Sequence, residues 1–289
     1  MLVDFLYSHP IWEVGIVVIG IWTGLSLLGL LGFTRLVSFE TRKKDTETVG
    51  LTYAIVAVVY AVLIAFIVVN VFESAAKADE IATAEANQLS NLMLDANGLP
   101  PELGDKIRAD LNQYIDIVVH EEWPSQQNGK LGEEVFEPGW VSLGNLSTSL
   151  AAFNPATLGQ SVNKGAMMQA ADELIKARRN RIEAAGEHLP AVVWQILLLA
   201  GAIAVGYTYL FGAKSFGIHL SITGLISTTI ALVFVLIIAL DYPFRGEVSV
   251  GDDAFVSVKA TAAGVETAPE PAAAPEFKPA PASSSEPRH

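Results

Sequence analysis

The chain has 289 residues, of which 51% are hydrophobic, and it carries a formal net charge of −13. Its mean hydropathy of +0.40 indicates a membrane protein. The acidic balance argues against nucleic acid as a partner, because phosphate binding requires a basic surface. The absence of cysteine excludes disulfides, thiolate metal sites and cysteine nucleophiles.

Four apolar runs are long enough to cross a hydrocarbon core, which requires roughly 20 helical residues. They cover residues 11–33, 49–72, 191–211 and 218–240. The first run contains a single acid, Glu13, and the other three contain no Asp, Glu, Lys or Arg. We therefore predict an all-α membrane protein with four transmembrane helices. They form a first hairpin within residues 1–72 and a second within residues 191–243.

The second span continues beyond the apolar run without a stop signal. Between Thr52 and Ala96 there is no proline and no glycine, so nothing local ends the helix at the membrane surface. The pair Asn97-Gly98 is a typical helix stop. We expect one helix to leave the bilayer and to enter a soluble domain.

Residues 73–190 are predicted to form this soluble helical domain, inserted between the second and third spans. One helix is predicted from Pro101 to Glu122, closed by Trp123-Pro124. Residues 125–153 are rich in Gly, Asn and Ser, which favours a loop with at most a short helix. A later helix is predicted to open at Asn154-Pro155. Residues 244–289 form a Pro-, Ala- and Ser-rich tail, predicted to be disordered from about residue 261.

No catalytic signature is present, so we predict a protein that is not an enzyme and that holds no metal or cofactor. The five histidines give no pair at metal-ligand spacing. Two acidic pairs, Glu121-Glu122 and Glu133-Glu134, have the oxygen ligands that calcium prefers but lack EF-hand spacing. A solvated acidic surface is the favoured interpretation of both.

Glu85 is an acid on the apolar face of its helix, four residues from both Ile81 and Leu89. It lies about 20 Å of helix beyond the second span, and Arg181 lies about 15 Å before the third. We predict an ion pair between Glu85 and Arg181, with Arg178 as the second choice. Two interpretations stay open: a buried pair that fixes helix register, or a charged ring on an ion path.

Several motifs occur in the same order as in a known family. They are the segment Glu85, Ala86, Asn87, the later Tyr114, Glu122-Trp123-Pro124 and Arg181, and the closing run Asp241, Tyr242, Pro243, Phe244, Arg245, Gly246. Together they resemble the bestrophin-like membrane family, a bacterial and plant group, over roughly residues 45 to 255.

The resemblance implies the plan of the bestrophins, which are pentameric anion channels. In them the second span lines the pore and a helical domain between the second and third spans lies in the cytoplasm. For this chain it implies a homo-oligomer in a bacterial inner membrane, with small anions as permeant ions. Phe66, Val69 and Phe72 are then the expected hydrophobic constriction.

A second function stays open. Three of the four spans lack charged residues, and ionisable groups inside a membrane usually mark ion routes. This pattern favours a non-conducting, membrane-anchored interaction or sensor protein. The oligomeric state distinguishes the channel from the anchored protein, since a symmetric ring favours a pore and a monomer or dimer favours an anchor.

Overall fold

The computed structural model describes residues 2–44, 46–213 and 215–266, and this part of the chain is helical with no strand. In chain order its helices are α1 (Leu2–Ser8), α2 (Ile11–Leu36), α3 (Phe39–Lys44), α4 (Thr46–Asp95), α5 (Pro101–Ile117), α6 (Trp123–Gln127), α7 (Glu133–Ala152), α8 (Leu158–Gly186), α9 (Ala191–Tyr209), α10 (Phe216–Asp241) and α11 (Asp253–Glu266).

Four helical stretches are long and apolar enough to cross a membrane, as judged by length and composition. They are Ile11–Leu36, Thr46–Gly98, Leu158–Tyr209 and Phe216–Asp241. Each contains most or all of one predicted apolar run. The predictions of an all-helical protein and of four candidate membrane helices are confirmed.

Helix α4 is the longest element, with 50 residues and a length of about 75 Å. It runs without a break through the apolar run and beyond it. A short 3₁₀ turn, Ala96–Gly98, ends it at the predicted stop. The first part of α4, which contains the apolar run, and the second part, which follows it, therefore form one continuous helix.

Two separate hydrophobic cores pack against the two parts of α4. The first part contributes Tyr60 and Ile67 to a core shared with α9 and α10. The second part contributes Leu89 and Leu92 to a core shared with α5, α7 and α8. We call residues 73–190, which connect the second and third candidate spans, the helical insertion.

Three predictions about the insertion are wrong in detail. The helix predicted over residues 101–122 is α-helical only as far as Ile117. The chain then continues as a π-helical turn, Val118–Glu122, and as α6, so Trp123-Pro124 does not end the helical stretch. Proline is tolerated there because it occupies the first turn of α6. The later helix begins at Leu158, with the side chain of Thr157 as its cap, and not at Asn154-Pro155.

The segment predicted as a loop contains the 20-residue helix α7, with Pro138 inside it. Leu143, Leu146 and Leu150 are buried along one side of this helix. Burial of this apolar face outweighs the low helix propensity of glycine and proline.

At the other end of the chain, α11 extends to Glu266 and buries Phe255 in the core of the insertion. The remainder of the predicted disordered tail, residues 267–289, lies outside the described residues.

Candidate functional site

A group of polar side chains lies inside the helical insertion, where α4, α5, α6 and α8 meet. Each of these side chains is at most 1% exposed. We call the group the buried charged cluster; its members are Glu85, Tyr114, Glu122, Gln126, Arg178 and Arg181. Two carboxylates face two guanidinium groups, so the cluster is neutral overall. Charges this deeply buried require partners, because removing an ion from water costs several kcal/mol.

Glu85 of α4 and Arg181 of α8 are in direct contact. Nε of Arg181 donates to one carboxylate oxygen of Glu85 at 2.7 Å, and Nη2 donates to the other at 3.3 Å. Tyr114 donates its hydroxyl to the same carboxylate at 2.5 Å. Ala86, the next residue of the family segment, is also buried. The pair joins the second part of α4 to the middle of the insertion.

Arg178, the second candidate partner of Glu85, binds Glu122 instead. Its Nη1 and Nη2 donate to the two carboxylate oxygens at 2.9 and 2.7 Å, which makes a bidentate pair. Nη2 also donates to the backbone carbonyl of Phe136 at 2.8 Å. Arg178 thereby connects α8 both to the π-helical turn and to α7.

Arg181 connects the two ion pairs. Its Nη2 donates to Glu122 at 2.8 Å, in addition to its contact with Glu85. Its Nη1 donates to the side-chain carbonyl of Gln126 at 3.0 Å. The cluster is therefore one network and not two isolated pairs, and removing one member disturbs the others.

Aromatic rings enclose both guanidinium groups. Arg178 lies over the ring of Trp140, 4.7 Å from its centroid, and Arg181 lies over Trp123 at 5.5 Å. The faces of aromatic rings attract cations, most strongly in places from which water is excluded. These contacts replace part of the hydration that the two arginines lose on burial.

The hydroxyl of Tyr114 forms hydrogen bonds with both a carboxylate and a guanidinium group. Burial raises its pKa well above the usual value, and the negative charge of Glu85 raises it further. The group therefore stays protonated, donates to Glu85 and accepts a hydrogen bond from Nη1 of Arg178 at 3.0 Å. It therefore links Glu85 to Arg178.

Gly139 of α7 leaves the space that the Arg178–Glu122 pair occupies. A Cβ atom at this position would overlap Nη2 of Arg178 and Oε1 of Glu122. Any other residue would force the bidentate pair to move. The requirement here is for space, since the backbone of Gly139 lies within a regular helix.

The buried charged cluster satisfies its charged groups internally. Its four charged side chains are paired with one another and closed to solvent. Among the described residues no group of three or more His, Cys, Asp or Glu side chains could hold a metal ion. The cluster instead connects α4 with α8 through the hydrogen bonds between Glu85 and Arg181.

The closing motif joins the two ends of the second candidate hairpin. Asp241, the last residue of α10, accepts a hydrogen bond from the backbone N–H of Leu189 at 2.6 Å and another from Nε1 of Trp194 at 3.0 Å. The carbonyl of Pro243 accepts from the N–H of Val250 at 2.9 Å. The two bonds to Asp241 hold the start of α9 beside the end of α10.

Phe244 of the closing motif packs into the core of the insertion. The ring of Phe244 contacts Trp123 edge to face, with 5.6 Å between centroids. The guanidinium of Arg245 lies over the ring of Tyr242 at 5.4 Å. Gly246 follows with φ +85°, a conformation that favours glycine and turns the chain. The motif therefore links the membrane helices to the core around the buried charged cluster.

The three predicted constriction residues lie on the opposite side of α4 from its packed face. Phe66, Val69 and Phe72 are 72%, 52% and 60% exposed. Asn87, from the family segment, is exposed further along the same helix. These residues do not belong to either core, and the structure does not bring them near the buried charged cluster.

Sequence reasoning missed the role of Glu122. The pair Glu121-Glu122 reads as a solvated acidic surface, but only Glu121 is exposed, and Glu122 is fully buried. A signal was present, because Glu122 follows the apolar position Val118 by four residues and Tyr114 by eight. It is thus on the inner face of its helix, as Glu85 is.

These observations define an all-helical protein with four helices able to span a membrane and a neutral arginine–glutamate cluster in the insertion between them. The chain belongs to the Bestrophin-like family, because the model of the Bestrophin-like domain matches residues 20–255. The resemblance seen in the sequence motifs is thereby confirmed. No curated protein matches the chain.

Solved structures show the same fold. A bacterial bestrophin homologue from Klebsiella pneumoniae is similar with a TM-score of 0.63 and 14% identity, over 86% of this chain and 99% of that chain. A second structure of that homologue gives 0.61 and 15%, over 86% and 97%. A structure described as a membrane protein gives 0.64 and 14%, over 86% and 99%. At such low identity the likeness concerns the fold alone.

Proposed function

We propose that the protein is an oligomeric ion channel of the cell membrane, in which α4 lines the pore. In this proposal α2, the first part of α4, α9 and α10 cross the bilayer. The helical insertion is a soluble domain on the cytoplasmic side. Membership of the Bestrophin-like family supports this plan, and the family resemblance implies a pentamer.

The observation that carries the proposal is the free outer face of α4. One side of the helix packs on α8, α9 and α10 of its own chain. The other side exposes large apolar residues along the membrane part, among them Leu51, Ile55, Val62, Phe66 and Val69. A cyclic oligomer places one such surface of every copy around its axis.

Phe66, Val69 and Phe72 are the proposed constriction, near the end of the apolar run. Large apolar side chains that meet around an axis exclude water and so close a pore by dewetting. Their exposure in the single chain agrees with this role, because they remain available to meet their copies. The buried charged cluster would hold α4 in place while the constriction opens and closes.

Ion flux in proteoliposomes tests the proposal. The purified protein is expected to conduct, as measured with separate probes for potassium and chloride. Phe66→Ala is expected to raise the flux, because a smaller side chain widens the constriction. Leu225→Ala is the matched control, since Leu225 is 69% exposed, close to the 72% of Phe66, but lies on α10. Sealed liposomes that contain verified protein and show no flux would overturn the proposal.

Oligomeric state gives an independent test. A channel requires a closed ring in detergent, and the mass of the complex counts its subunits. A monomer or a dimer cannot enclose a pore with α4 and would favour the alternative, a non-conducting anchored interaction or sensor protein.

A further inference from the structure

A pocket of about 490 Å³ lies where the helical insertion meets the candidate spans. Part of α4 forms one wall, and the link between α8 and α9, together with the end of α10, forms the other. The apolar run of α4 ends at Phe72, α9 begins at Ala191 and α10 ends at Asp241. The pocket therefore lies at the level where the spans leave the hydrocarbon core.

The pocket exists because one of two neighbouring helical stretches is interrupted. Helix α4 is continuous, whereas α8 ends at Gly186 and α9 begins only at Ala191. Pro190 disfavours helical backbone at the preceding residue, Leu189, which lies in the link. The missing helical turn leaves a gap beside α4, and the pocket fills this gap.

The α4 wall of the pocket carries hydrogen-bond donors. Asn70, Ser74 and Lys77 follow one another at intervals of four and three residues, so they share one face of the helix, and all three line the pocket. Within the described residues Lys77 forms no ion pair. Glu73 also lines the pocket, at the edge of this face, and is exposed to solvent. An amide, a hydroxyl and an ammonium group are suited to the oxygens of a phosphate.

The opposite wall contains a buried carboxylate whose charge is not compensated. Asp241 is only 7% exposed, and its two oxygens accept hydrogen bonds from neutral donors, the N–H of Leu189 and the indole of Trp194. No Lys, Arg or His of the described part of the chain forms an ion pair with it. Removing an uncompensated charge from water is costly, so a cationic group in the pocket would stabilise this carboxylate.

His188 and Glu187 add two further acceptors to this wall. The Nδ1 atom of His188 donates to the carbonyl of Gly186 at 3.0 Å, since a carbonyl only accepts. The ring stacks on Tyr242 with 5.0 Å between centroids, which fixes its orientation. Its Nε2 atom has no partner among the described residues and can accept from an N–H group. A primary ammonium group, with three N–H donors, fits this wall.

The composition of the pocket also excludes one kind of cation. A quaternary ammonium group, which has no N–H donor, is recognised in proteins by a cage of aromatic rings. Of the described residues that line the pocket, none is Phe, Tyr or Trp. The pocket therefore favours a primary ammonium group over a methylated one.

We infer that this pocket binds a phosphoethanolamine group. The phosphate contacts Ser74 and Lys77 on α4, and the primary ammonium group contacts Asp241 and His188 on the opposite wall. A phospholipid headgroup and a soluble ester supply the same chemistry, and the position at the membrane boundary favours the lipid. The inference goes beyond the proposed channel, because it requires the spans to lie in a bilayer but does not require them to conduct.

Native mass spectrometry of the purified protein, titrated with phospholipids of identical acyl chains, tests the inference. Phosphatidylethanolamine is expected to bind about tenfold more tightly than phosphatidylcholine or phosphatidylglycerol, because each of these lacks the N–H donors that meet Asp241. Lys77→Gln is expected to weaken binding of phosphatidylethanolamine about tenfold, through the lost bond to the phosphate. Lys176→Gln is the matched control, since Lys176 is exposed but does not line the pocket, and it should bind as the wild type does.

Soluble glycerophosphoethanolamine distinguishes the two sources of the ligand. Displacement of the lipid by this ester would support recognition of the phosphoethanolamine group from either source, whereas tight lipid binding without displacement would support the lipid alone. Equal affinities for the three phospholipids would overturn the inference, and so would an unchanged affinity in Lys77→Gln. Either of these results would leave the proposed channel standing, because ion flux is measured separately.

Discussion

Arg178 and Glu122 face each other through two parallel hydrogen bonds of 2.9 and 2.7 Å, and neither side chain is exposed. The two residues are far apart in the sequence and lie on different elements, α8 and the π-helical turn. A bidentate pair in a dry interior fixes both position and orientation. It is one of three ion pairs that tie α8 into the insertion, beside those of Arg181 with Glu85 and of Arg181 with Glu122.

Replacement of Glu122 by glutamine is expected to destabilise the protein by about 3–5 kcal/mol. The change removes one charge and leaves buried guanidinium groups without full compensation. The neighbouring change Glu121→Gln is expected to alter stability by less than about 0.5 kcal/mol, because Glu121 is exposed. Denaturant titration of both variants in detergent checks the difference. Similar values for the two would contradict the account of the pair.

Gly139→Ala is expected to cost about 1–3 kcal/mol, as overpacking in a tight interior does. The added Cβ atom would overlap the Arg178–Glu122 pair. Gly144→Ala on the same helix is the matched control, since a Cβ atom there meets nothing within 4 Å. The control is expected to gain up to about 1 kcal/mol from the higher helix propensity of alanine. Thermal midpoints that rise for both variants would show that the space at Gly139 is not needed.

Tyr114→Phe is expected to lower stability at neutral pH by about 1.5–3 kcal/mol, through the lost hydrogen bonds to charged groups. The pKa of Tyr114 is raised above its usual value of 10.0 on folding. Below that value both states are protonated, and above it only the unfolded state ionises, so the contribution of the hydroxyl is lost as pH rises beyond about 10. The stability gap between wild type and variant should therefore narrow at alkaline pH. A gap that widens would contradict the assigned role of the hydroxyl.

Much of the fold could be predicted, because the length of an apolar run and the spacing of apolar residues along a helix are local properties of the sequence. The candidate spans follow from uninterrupted apolar runs. The unbroken α4 follows from the absence of proline and glycine between Thr52 and Ala96. The inward position of Glu85 follows from its spacing to Ile81 and Leu89.

The remainder depends on tertiary contacts that no local pattern contains. Helix α7 forms in a segment of low helix propensity because its leucines are buried against α5 and α8. In the sequence Glu122 is adjacent to Glu121 and is interpreted as part of a solvated acidic surface. Only the folded structure shows that Arg178 lies opposite it. The pairing of two arginines with two glutamates on three different elements is decided by packing in three dimensions.

Cysteine accessibility at Val69 tests the central claim, that the outer face of α4 lines a water-filled pore, most directly. The chain contains no cysteine, so a single introduced thiol is the only reactive one. Val69→Cys is expected to conduct and to lose its current when a charged, membrane-impermeant thiol reagent is added. Leu225→Cys on the outer side of α10 is expected to keep its current under the same treatment. A conducting Val69→Cys channel that the reagent leaves unchanged, although labelling of the residue is demonstrated, would contradict the account.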